Sequence, residues 1–118
     1  MSAKLDGSRT LVLVTREGMG DAEPELSRKL FATWTRLVLE NDSLPGAICF
    51  YAKGVRMVAE GSPVLETLKA FEAKGVRLIV CSTCLNFYGL VDRVKVGIVG
   101  GMGDILAAQW KAEKVIAL

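Results

Sequence analysis

The segment Leu78-Ile79-Val80-Cys81-Ser82-Thr83-Cys84-Leu85-Asn86-Phe87-Tyr88-Gly89 constrains this chain most, because within a dozen residues a buried strand turns into a helix. Leu78 to Val80 is apolar and follows Gly75, a helix stop, which is the pattern of a central strand covered on both faces. Cys81 then ends the strand. Ser82 and Thr83 are N-cap residue types, so Cys84 falls in the first helical turn, and Gly89 supplies a left-handed C-cap. A strand buried on both faces needs parallel neighbours and covering helices, and the rest of the chain provides both. Thr10 to Thr15, Ala47 to Ala52, Val94 to Val99 and Val115 to Leu118 read as further strands.

Helices alternate with them. The first spans about Glu25 to Asn41, with Leu26, Leu30, Trp34, Leu37 and Val38 on one face. The second starts at Ser62-Pro63, gathers Val64, Leu68 and Phe71 on one face and stops at Gly75. Asp104 caps the last, which runs to about Ala112, and Val55 to Glu60 reads as a loop folding over the sheet edge. This alternation predicts an α/β domain over residues 1–118, three layers α/β/α with about five mostly parallel strands. Loops around Gly18, Gly54, Ser82 and Gly101 are expected on the same edge, with Gly18 and Gly101 beside the cysteines.

Composition narrows the chemistry. A net charge of +2 gives no basic field for nucleic acid or an anionic membrane surface. No apolar run approaches the roughly 20 residues of a membrane helix, and Met1 to Gly7 lacks the apolar core of a signal peptide, so the cytoplasm is expected. The chain has three cysteines and no histidine. That removes His-assisted nucleophiles and His-ligated metals, and one CxxC supplies too few ligands for zinc, so no metal or cofactor is expected. Gly97 to Gly103 lacks G-x-G-x-x-G spacing and its glycines serve as turn residues. Cys49, inside Ala47-Ile48-Cys49-Phe50-Tyr51, reads as a small core residue. Cys81 and Cys84 remain, at the carboxyl end of a strand where open α/β sheets bind ligands. Helix N–H groups facing both sulfurs would favour thiolate.

Val80-Cys81-Ser82-Thr83-Cys84-Leu85-Asn86-Phe87-Tyr88-Gly89-Leu90 resembles the C-G-T-C-L-D-F-Y-G-L signature of DsrE/DsrF-like proteins, most closely the C-terminal domain of the YedF-type selenium-metabolism proteins. Leu44-Pro45, Phe50-Tyr51, Gly54-Val55, Gly61-Ser62 and the Gly97 to Ile105 turn are similar to flanking segments of that family. Ser82, Ala52, Gly101 and Gly103 depart from it, standing where Gly, Asn, Asn and Tyr are usual. The resemblance implies a flavodoxin-like fold, homo-oligomers, and sulfur or selenium trafficking in which Cys81 carries a persulfide; on that reading Cys84 assists or resolves. It also implies a separate TusA-like sulfur-carrier partner. Two other readings stay open: a dithiol oxidoreductase cycling Cys81 and Cys84, and a non-catalytic oligomeric binding module. Cys81, placed before the cap, is expected to present the more exposed and more reactive sulfur. Phe87 and Tyr88 sit on a helix too short to bury both rings, so at least one is expected at a subunit interface.

Overall fold

The computed structural model describes residues 6–118; Met1 to Leu5, part of the stretch read above for a signal peptide, lie outside them. Among the described residues five parallel strands form one sheet: β1 Thr10–Val14, β2 Ala47–Phe50, β3 Arg77–Cys81, β4 Ile98–Gly100 and β5 Lys114–Ala117, in the order β4-β3-β2-β1-β5. The α-helices that connect them are α1 Pro24–Glu40, α2 Leu65–Ala73, α3 Ser82–Phe87 and α4 Met102–Lys111. The three-layer arrangement is as expected, although the strand order differs from the 2-1-3-4-5 of flavodoxin itself.

The order explains where a site can form. From β1 to β4 the chain steps one strand at a time in a single direction, and it then crosses back to place β5 beside β1. Right-handed crossovers therefore put α1, α2 and α3 on one face and α4 on the other. Neighbouring strands β3 and β4 send their exits to opposite faces, which opens a crevice at the carboxyl edge between them. Cys81 pairs with Gly100 there.

The core centres on β1, β2 and β3, where Val12, Val14, Ile48, Phe50 and Val80 are buried together with Phe31, Leu68 and Phe71 from the helices. In α2 the expected face of Val64, Leu68 and Phe71 is the buried one. In α1 it is not. Ser27, Phe31 and Thr35 point inward, while Leu26, Leu30 and Leu37 are exposed and Trp34 is half-buried. The two inward polar residues are satisfied locally: Ser27 Oγ donates to the Gly20 carbonyl at 3.1 Å, and Thr35 Oγ1 donates to the Phe31 carbonyl at 3.0 Å. Their burial thus leaves no unpaired hydroxyl.

Two further expectations are corrected. Val55 to Glu60 is no loop over the edge: Ala52–Val58 is a 3₁₀ segment that buries Val55, Met57 and Val58. Gly54 allows it, since a Cβ there would lie 1.9 Å from the Val14 carbonyl oxygen. The fourth strand begins at Ile98 and not at Val94, because the preceding residues are held by the 3₁₀ segment. The Lys95 N–H donates to the Val58 carbonyl at 2.9 Å, and Gly97 turns the chain at φ 92. Among the described residues no helix is long and apolar enough to cross a membrane.

Candidate functional site: the two thiols at the β3–α3 junction

Strand β3 runs to Cys81, and the helix begins at once with Ser82, so Cys81 itself occupies the N-cap position. Ser82 and Thr83, expected as caps, lie inside the first turn and no side chain caps the helix. Cys84 is then its third residue. N-cap and third-residue side chains face each other across a first turn, the geometry that capping boxes exploit. Here the two are thiols, and both are free.

Their exposures reverse the expected order. Cys81 is 0% exposed, while Cys84 is half-buried at the surface. The reason lies in the strand: Cys81 still belongs to β3, and its side chain is part of the buried core that also holds Leu85. Cys84 looks out from the helix and meets the turn after β2, where the Ala52 N–H donates to its Sγ at 3.1 Å. Burial pushes the Cys84 thiol above its ordinary pKa, the Cys81 sulfhydryl pushes it further, and the Ala52 N–H pulls it partly back. The expected thiolate-favouring helix end is therefore outweighed at Cys84. A helix of six residues has a weak dipole.

Ala52, noted above only as a departure from the family pattern, is the residue whose backbone meets Cys84. Its φ is +51, a left-handed conformation that Ala adopts at a cost of about 1–2 kcal/mol. A signal was present, since the resemblance places Asn here, a residue that tolerates this conformation. The strained turn aims an N–H at Cys84 and starts the 3₁₀ segment, which is clamped further on. Glu17 accepts from Arg28 Nη2 at 2.6 Å and from Arg56 Nη1 at 2.8 Å. Arg56 also stacks on the Tyr88 ring, 4.8 Å from its centroid, and Tyr88 packs edge-on against Phe87 at 5.1 Å. Loop, 3₁₀ segment and α3 are thereby tied together around the sulfur.

Of the expected neighbours, the Gly101 loop adjoins the thiols through the pairing of Cys81 with Gly100. The Gly18 loop packs on α1, where a Cβ at Gly18 would lie 2.2 Å from the Ser27 carbonyl oxygen, and reaches the 3₁₀ segment through the Glu17–Arg56 pair. Asp104 is the third residue of α4 and not its cap, and its carboxylate accepts the Gly101 N–H at 2.9 Å. Cys49 is a buried core residue as expected, its thiol pushed up to about 11 by burial, against a smaller opposing pull from Arg77. Among the described residues no three Cys, Asp or Glu side chains gather in a cation site. A cleft of about 340 Å³ lined by Arg28, Arg56, Glu60, Ser62 and Tyr88 lies beside the end of α3.

Solved structures with this architecture exist. The chain superposes on the protein of unknown function MTH1491 from Methanobacterium thermoautotrophicum with a TM-score of 0.68 at 19% identity, covering 93% of this chain and 98% of that one. It superposes on the ychN protein from E. coli with a TM-score of 0.69 at 17% identity, with the same coverages of 93% and 98%. At those identities the likeness speaks to fold. No curated protein matches by sequence. The sequence profile of the DsrE/DsrF-like family matches residues 27–118, a span that holds both thiols, the strained turn and four of the five strands, and the chain belongs to that family.

Proposed function

We propose that this protein is a sulfur carrier or sulfurtransferase that holds a persulfide on its CxxC pair, with Cys84 as the loading thiol and Cys81 behind it. Membership in a family related to sulfur-relay proteins supplies the class of chemistry. The single observation that carries the assignment of roles is exposure: a partner's sulfur can reach Cys84 and has no open line to Cys81. Exchange at sulfur needs such a line of approach. The Ala52 N–H serves the same role, since a donor 3.1 Å from Sγ stabilises the negative charge that the sulfur bears on loading and on release.

The carrier works with partners. A TusA-like protein is the donor or acceptor we propose, approaching over α3 beside the 82% exposed Phe87 ring. Self-association is proposed as well, supported by Leu26, Leu30 and Leu37 on α1 and by Leu106 and Trp110 on α4, all apolar and exposed in the subunit. Free thiols suit the reducing cytoplasm.

Incubation with a cysteine desulfurase and cysteine, followed by intact mass, tests the reading. Cys81→Ser should gain one sulfur atom per chain and Cys84→Ser none. Loading of Cys84→Ser together with failure of Cys81→Ser would return the persulfide to Cys81, and absence of loading in every variant would favour the non-catalytic binding module.

A further inference from the structure

We infer that Cys81 is a resolving thiol: once Cys84 carries a persulfide, Cys81 attacks the Cys84 Sγ and expels the outer sulfur as hydrogen sulfide, leaving a Cys81–Cys84 disulfide. The inference rests on the carrier reading above, and it adds a second fate for the sulfur, release in place of transfer.

The geometry favours this step. Displacement at sulfur is in-line, so the attacking and leaving atoms lie on opposite sides of the sulfur under attack. Cys81 lies behind Cys84 on the fully buried side, near enough for its sulfhydryl to raise the Cys84 pKa, and the outer sulfur of a persulfide on Cys84 would occupy the open side. Cys81 at the N-cap and Cys84 as the third residue are neighbours on one helical turn, with a usual Cβ separation of about 5–6 Å, so closing a disulfide draws the first turn in by roughly 1–2 Å. No other cysteine competes, since Cys49 is closed within the core on β2. The burial that shields Cys81 from partners does not hinder an attack from inside.

The step balances without an external oxidant. One S–S bond, Cys84 Sγ to the outer sulfur, breaks as another, Cys81 Sγ to Cys84 Sγ, forms. The outer sulfur takes the electron pair and is reduced to sulfide, and it leaves as hydrogen sulfide with its own proton and the one lost by Cys81. The two cysteine sulfurs end as a disulfide, so a further round requires a thiol or dithiol reductant. Hydrosulfide is the better leaving group of the two available, because the Cys84 thiol is raised and a less acidic thiol departs more slowly.

The experiment loads the full chain with a cysteine desulfurase, removes donor and cysteine by gel filtration, and follows intact mass and free sulfide without reductant. The wild type should pass from a gain of one sulfur to a loss of two hydrogens with one sulfide released per chain, and non-reducing peptide mapping should join Cys81 to Cys84. Cys81→Ser and Cys81→Ala, each checked for folding by circular dichroism, should hold the added sulfur at least about ten-fold longer, the change expected when an intramolecular attack is lost. A wild type that keeps its sulfur as long as both variants overturns the inference and leaves the carrier reading standing. A chain that never gains sulfur, in the wild type or in either variant, overturns the carrier reading and this step with it.

Discussion

Two halves of the sheet treat apolar residues in opposite ways. In β1, β2 and β3, side chains such as Val14, Phe50 and Val80 are buried, enclosed by α1, α2 and the 3₁₀ segment. On β4 and α4, Ile98, Val99, Leu106 and Trp110 are exposed, Trp110 by 81%. The sequence character of the two halves is similar; what differs is cover. The centre has helices or the 3₁₀ segment on it, whereas β4 is a three-residue edge strand. The thiols sit on the border, with Cys81 belonging to the enclosed half and Cys84 to the open one. Burial can separate the roles of two identical side chains three residues apart.

The sharpest contrast is in stability. Phe50→Ala removes a fully buried ring and should cost about 3–5 kcal/mol in urea unfolding. Trp110→Ala should change subunit stability by no more than about 0.5 kcal/mol, while lowering the mass of any assembly seen by light scattering. A large loss of stability from Trp110→Ala at concentrations where the protein is monomeric would mean that the two halves are not different in kind.

Cys49 tests the enclosed half by titration. Its folded pKa is raised from 9.0 to about 11, so between those values the unfolded chain loses its proton first and stability falls as pH rises. Below pH 9.0 the group contributes no pH dependence. The loss across the window should approach about 3 kcal/mol, from roughly 1.4 kcal/mol per pKa unit. Cys49→Ala should remove that part of the slope. Equal slopes for wild type and variant between pH 9 and 11 would show that water reaches Cys49.

A smaller effect belongs to the border. Ala52→Gly relieves the left-handed strain at φ +51 and should raise stability by about 0.5–1 kcal/mol, with Ala52→Asn acting in the same direction. Alkylation of Cys84 should be unchanged in both, because the N–H stays in place. Destabilisation by Gly would mean that the methyl packs well enough to offset the strain.

How much of this was legible in the sequence follows from how local each cause is. Strand β3, its end at Cys81 and the short helix to Gly89 could be read directly, because apolar β-branched runs and glycine stops act within a few positions. The buried face of α1 could not. Leu26, Leu30 and Leu37 form the more apolar stripe, yet Ser27, Phe31 and Thr35 face inward, since both hydroxyls find carbonyl partners close at hand. Strand β4 was overcalled at its start because Val94 and Lys95 are β-compatible residues held by Ala59 and Val58, not by β3. The partner of Cys84 was out of reach for the same reason. Ala52 lies 32 residues earlier, and only the folded turn brings its N–H to the sulfur. The exposure of the two thiols turns on a single residue of helix phase, with Cys81 as the cap in place of Ser82.

That phase is the centre of the account, and limiting alkylation measures it most directly. The native chain, treated with substoichiometric iodoacetamide near neutral pH and then mapped by peptide mass, should carry the label on Cys84 ahead of Cys81, with Cys49 unlabelled until the protein is denatured. Label appearing first on Cys81 would contradict the burial order, and with it the assignment of Cys84 as the loading thiol.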